Sequence, residues 1–136
     1  MNMPKLENVE GIGEVYGARL RAAGVRSIVD LLSKGGTPRG RQEIAEKAAI
    51  SPKLVLTWVN HADLKRIKGV ERQYAELLEA AGVDTVVELA QRRADNLHQA
   101  MLETNRQKRL VRRPPALSMV ERWIEQAKVL PRAVHY

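Results

Sequence analysis

Apolar residues recur three and four apart along most of the chain, and no useful stretch alternates with period two, so the pattern predicts helices and no strand. Leu6 marks a first helical turn. Gly11-Ile12-Gly13 then turns the chain into a helix that puts Tyr16 and Leu20 on one face. That helix closes at Ala22-Ala23-Gly24-Val25, with Gly24 at the left-handed C-cap position. Ser27 and Asp30 fit a capping box for a short helix to about Leu32, ended by Lys34-Gly35-Gly36. Thr37-Pro38 starts a helix whose stripe is Ile44, Ala45 and Ala48. Ser51-Pro52 starts another, from Lys53 to about Lys65, with Leu54, Val55, Trp58 and Ala62 inward. Further on, Asp95 or Asn96 is expected to cap a helix carrying Leu97, Ala100, Met101 and Leu102. Ser118 and Glu121 fit a box for the last helix, which Pro131 ends.

The pattern repeats. At an offset of fifty-eight, Gly11 pairs with Gly69, Tyr16 with Tyr74, and Leu20 with Leu78, while Ala22-Ala23-Gly24-Val25 returns as Ala80-Ala81-Gly82-Val83. Ser27 and Asp30 return as Thr85 and Glu88. Trp58 and Ala62 match Trp123 and Ala127 at an offset of sixty-five, so seven residues have been added within the second copy. Similarity this dense predicts a duplicated architecture. The expected organisation is one compact domain over 1–136 built from pseudo-repeats 6–63 and 64–130, with a short lead-in from Met1 to Lys5 and a tail at 131–136.

Composition narrows the class. The chain of 136 residues is 44% hydrophobic but only 4% aromatic, with no Phe, so aliphatic and Ala packing must fill the core. The absence of Cys excludes disulfides, thiolate metal sites and a thiol nucleophile. No apolar run reaches membrane-spanning length and no signal peptide follows Met1, so the expectation is a cytoplasmic protein with no membrane partner. The net charge of +7 favours polyanions, nucleic acid above all. It is shared about equally: residues 1–66 hold eleven basic and seven acidic side chains, the remainder twelve and nine. One run is exceptional. Arg106 to Arg113 carries five positive charges (Arg106, Lys108, Arg109, Arg112, Arg113) and no acid, before Pro114-Pro115 stiffens the backbone. Leu110 and Val111 are expected to anchor it, leaving Arg109, Arg112 and Arg113 outward.

The Gly11-Ile12-Gly13 layout, with its small pair and following Leu, resembles a helix-hairpin-helix motif. Several further stretches extend that resemblance over nearly the whole chain: Trp58-Val59-Asn60-His61-Ala62-Asp63-Leu64, Arg112-Arg113-Pro114-Pro115 and Trp123-Ile124-Glu125-Gln126-Ala127. Together they resemble the small tandem helix-hairpin-helix proteins of the "domain of unknown function 4332" family. The resemblance implies an all-α fold of about eight to ten short helices, a tandem of helix-hairpin-helix units of the SAM-like type. Helix-hairpin-helix motifs imply sequence-independent contact with double-stranded DNA, because hairpin amides at a helix N-terminus hold backbone phosphates. Carried over, those amides lie around Gly11, Gly13 and Glu14 in the first motif, and around Gly69, Glu71 and Arg72 in the second, with Lys68 alongside. The first hairpin keeps both glycines but is flanked by Glu10 and Glu14. The second is flanked by Lys68 and Arg72, but Glu71 replaces its second glycine.

Other chemistry is thin. His61, His98 and His135 show no metal-ligand spacing, and no cofactor loop or nucleophile motif is present, so no catalytic, metal or cofactor site is expected. Residues 41–58 have the apolar spacing of a helix-turn-helix, but a recognition helix from Ser51 would offer no Arg, Asn or Gln to base edges. The tyrosines and tryptophans could stack on bases, but their repetition at core spacing points to packing. Two functions remain: DNA contact through Gly11, Gly13, Glu14, Lys68, Gly69, Arg72, Arg106, Lys108, Arg109, Arg112 and Arg113, or a protein partner held by the same hairpins or a helix face.

Overall fold

The computed structural model describes residues 5–136, so of the expected lead-in all but Lys5 lies outside the described residues. Among the described residues the chain forms a 3-10 turn at Leu6–Asn8 and eight α-helices, with no strand. The helices are α1 (Glu14–Ala22), α2 (Ile28–Gly35), α3 (Pro38–Ala48), α4 (Pro52–Leu64), α5 (Arg72–Ala80), α6 (Val86–Ala90), α7 (Ala94–Lys108) and α8 (Leu117–Val129). None is long and apolar enough to cross a membrane.

Two compact units result. The first holds the chain up to Asp63 together with Ala133–Tyr136, and the second holds Leu64–Arg132. In the first, α1 and α2 pack on α3 around Leu6, Leu20, Leu31, Val55, Trp58 and Val134. In the second, α5 packs on α7, and α6 and α7 on α8, around Leu77, Leu89, Leu97, Met101, Val120 and Trp123.

The local geometry is duplicated. Gly11 and Gly69 have φ of 90° and 97°, and Gly24 and Gly82 have 91° and 99°, a region that side-chain-bearing residues avoid. Residues Gly13 and Glu71 both cap the next helix in extended backbone, at φ −90° and −92°. Tyr16 tilts against Trp58 with centroids 5.1 Å apart, and Tyr74 against Trp123 at 5.3 Å. The N-cap half of each expected capping box forms, and the acids then bond the residue before the cap: Ser27 Oγ accepts from Asp30 N–H at 3.1 Å and Thr85 Oγ1 from Glu88 N–H at 3.3 Å. The acids reach back in turn, Asp30 to Arg26 N–H and Glu88 to Asp84 N–H, each at 3.0 Å.

The seven added residues are spread out. Helix starts differ by 58 at α2 and α6 but by 56 at α3 and α7, and the ends of α3 and α7 differ by 60. Thus α7 is longer than α3, 15 residues against 11. Both then stop at a left-handed non-glycine residue, Ala49 at φ 56° and Arg109 at φ 51°. From there the chain reaches α4 within three residues, 49–51, but needs eight, 109–116, to reach α8.

Several local expectations are corrected. Neither Asp95 nor Asn96 caps α7: the N-cap is Arg93, without a side-chain bond, and the Asp95 carboxylate is occupied by Asn96 N–H at 2.8 Å and by Arg93 at 3.1 Å. No capping box forms at Ser118, because α8 already begins at Leu117 and the Met119 and Val120 amides both donate to Ala116 O. Finally, Arg106 to Lys108 of the basic run are the end of α7, and α2 continues past Leu32 to Gly35.

Trp123 is 2% exposed. Trp123→Ala should therefore cost about 3–5 kcal/mol by the usual loss for a truncated core aromatic. A denaturant melt checks this, and an unchanged midpoint would remove Trp123 from the core.

Candidate nucleic-acid interface

The second hairpin is built against a tryptophan edge. A Cβ on Gly69 would stand 3.1 Å from Trp123 Nε1, just as one on Gly11 would stand 3.2 Å from Trp58 Nε1, so bare backbone passes over each indole. The turn bonds Ile12 N–H to Val9 O and Val70 N–H to Ile67 O, both at 3.1 Å, carry the chain to the helix starts. Neither Gly13 nor Glu71 supplies a side-chain cap, so the first-turn amides of α1 and α5 are not capped by their N-cap residues. Lys68 lies within this turn, and its main chain is tied to Gln126, its N–H donating to Gln126 Oε1 at 2.8 Å and its O accepting from Gln126 Nε2 at 3.1 Å. Beside it Lys68, Gly69, Met119, Arg122, Trp123 and Gln126 line a concavity of about 300 Å³.

Facing the first turn of α5 is the basic segment, pinned at three points. Asn105 clamps Val111 with two bonds, Asn105 Nδ2 to Val111 O and Val111 N–H to Asn105 Oδ1, both 3.0 Å. Tyr74 OH donates to Arg113 O at 3.0 Å, and His98 Nε2 lies 2.9 Å from Pro115 O. Val111 is buried and Leu110 half-buried, while Arg109, Arg112 and Arg113 are exposed.

The result is a cleft of about 520 Å³ lined by Glu71, Arg72, Gln73, Tyr74, Val111, Arg112 and Arg113. A second hollow, of about 510 Å³, shares Gln73, Val111 and Arg112 and adds Asn105, Arg106, Arg109 and Leu110. The structure thus joins two stretches, the second hairpin helix and the basic run, that lie about forty residues apart in sequence.

Its electrostatics are one-sided. The first turn of α5 holds Arg72 and no acid, so a cation sits at the positive end of a helix, where the dipole disfavours it. The one carboxylate on the rim, Glu71, is engaged by Lys65 at 3.3 Å. Arg106 is paired with Glu103 at 2.9 Å. Among the described residues Lys108, Arg109, Arg112 and Arg113 have no acidic partner, and such a concentration of cations favours an anion.

The remaining predicted residues fall elsewhere. Gly11, Gly13 and Glu14 belong to the first unit, where Glu14 stands in the first turn of α1 and no basic segment follows α3. The corresponding connection there is short, and Arg19 Nη1 donates to its Ala49 O at 3.3 Å. Trp58 and Trp123 are buried and have no face to offer a base. Among the described residues no cluster of His, Cys, Asp or Glu could hold a metal ion.

Asn105, which holds the basic segment in place, is absent from the residues that the sequence singles out. It follows Leu97 and Met101 at helical spacing, so a polar group interrupts an apolar stripe, and that interruption was the available signal. Asn105→Ala should cost about 2 kcal/mol or more, since it strands the Val111 N–H and C=O. Hydrogen exchange at Val111 should quicken while amides of the first unit keep their rates; unchanged exchange would mean the clamp does not hold the segment.

Comparison with known proteins gives one match. The model of a family described as "Domain of unknown function (DUF4332)" fits residues 10–130. No curated protein and no solved structure matches the chain.

Proposed function

The chain belongs to that family of unknown function, and from there we propose that it is a tandem helix-hairpin-helix protein that binds double-stranded DNA without regard to sequence and catalyses nothing. The observation that carries the proposal is the cleft in the second unit, where the first turn of α5 meets Arg112 and Arg113. A phosphate seated there would accept from backbone amides at a helix start and from guanidinium groups at once, two arrangements that each favour anions. Such contacts touch the sugar-phosphate backbone only and carry no sequence information. The pinned backbone of the basic segment supports the reading, because a rigid loop loses less entropy on binding than a free one.

The two hairpins divide the work. The second is the phosphate-binding one, with Glu71 offset by Lys65 and with Arg72 pointing the charge balance the right way. The first keeps the backbone of the motif but presents Glu14 and an exposed Val15 at its helix start. An acid beside an apolar side chain suits a protein surface better than a phosphate, and this favours a second role in which the first hairpin holds a protein partner.

A salt titration against a fluorescent duplex tests the proposal. With roughly four phosphates neutralised, affinity should fall about a hundredfold between about 50 and 200 mM salt, from a slope of about −0.9 per contact. Arg112→Gln with Arg113→Gln should flatten that slope by nearly two units and weaken every duplex alike. If folded protein binds no duplex even at about 50 mM salt, the DNA reading fails and the protein-partner reading stands alone.

A further inference from the structure

Residues Ala133–Tyr136, far along the chain from the first unit, close on it through core packing and several hydrogen bonds. Ala133–Tyr136 is neither helix nor strand, yet Val134 is 2% exposed and belongs to the first core. His135 N–H donates to Gly36 O at 2.7 Å, and His135 O accepts from Arg41 Nη2 at 2.7 Å. Arg41 is itself buried, and its Nη1 donates to Gly35 O at 2.9 Å, so one guanidinium ties the groove wall to what lies in the groove. Tyr136 OH donates to Oδ1 of the buried Asn60 at 3.3 Å, and its ring lies 6.0 Å from the Arg41 guanidinium carbon. Space for the segment depends on Gly36, where a Cβ would come within 2.6 Å of Ala133 O.

We propose that the first unit carries a binding groove for a short non-helical peptide, and that the chain's own Ala133–Tyr136 is its ligand, held in cis. The contacts divide as they do in peptide recognition generally. Main-chain bonds at His135 supply attachment, whatever the side chain there. Val134 and Tyr136, two positions apart, supply selectivity by filling the core and reaching Asn60. The groove therefore reads the β-branched Val134 most closely, while Tyr136, 63% exposed, adds the bond to Asn60. The tether through Pro131 and Arg132 keeps the ligand at an effective concentration on the order of millimolar, so free peptide competes only once the tether is cut.

The test uses the full chain with a protease site inserted between Arg132 and Ala133. After cleavage, a fluorescein-labelled peptide of the sequence Arg132–Tyr136 should displace the freed segment and bind saturably. The same peptide carrying Val134→Asp should fail to bind, and Arg41→Gln in the protein should weaken binding roughly tenfold or more, since a buried charge-assisted bond to the ligand is lost. The proposal is overturned if the cut protein remains folded by circular dichroism yet takes up no peptide, or if it unfolds and excess peptide does not restore it. An uncut chain carrying Gly36→Val gives an independent reading. Amides of 133–136 should lose their exchange protection there, and unchanged protection would also overturn the groove.

Discussion

Each unit depends on bare backbone lying over the edge of an indole. Gly11 and Gly69 combine a positive φ with an approach to a tryptophan Nε1 that leaves no comfortable room for a side chain. Once that contact is made, the direction of the turn follows, and so does the extended residue that starts the next helix. Tyrosine on that helix then closes on the same indole from one turn further along. A Cβ at either glycine would crowd the indole nitrogen and would have to sit at a positive φ. The exposed amides of α1 and α5 are a by-product of this packing before they are anything else.

The two units agree in their packing and differ at the surface. The glycines, the capping boxes and the aromatic pairs agree to within a few degrees and tenths of an ångström. What differs is the connection after the third helix of each unit, where a three-residue link became eight residues with arginines on the outside. A core tolerates little change in volume or shape, whereas a surface loop can lengthen at small entropic cost. The extra chain was not left loose, however. Asn105, Tyr74 and His98 bond to its backbone and leave its charged side chains to solvent.

Much of this could be read in the amino acids, and the limits have physical causes. Helix content, the glycine hairpins, the boxes at Ser27 and Thr85 and the burial of both tryptophans follow from local spacing, which is a short-range property. Ser118 and Asp95 were misleading because a capping residue is defined by where the helix begins, and Ala116 and Arg93 take that place. The pairing of Arg106 with Glu103 was available at helical spacing, but only once α7 was known to extend through Lys108. The cleft itself was out of reach, since it needs two segments that only tertiary packing brings face to face. The docking of Val134 was hidden for the same reason, as a lone valine between an alanine and a histidine has no periodicity to betray it.

The chain's return to its first unit also sets an order of events during synthesis. The second unit is continuous and can complete itself as soon as Arg132 has emerged. The first cannot, because the core that begins at Leu6 is finished by Val134. About seventy residues separate Asp63 from Ala133, and at a translation rate of roughly 5–20 residues per second the wait is on the order of 4–14 seconds. Throughout that interval the place that Val134 fills in the first core is vacant, so the half that is translated first is the half that is completed last.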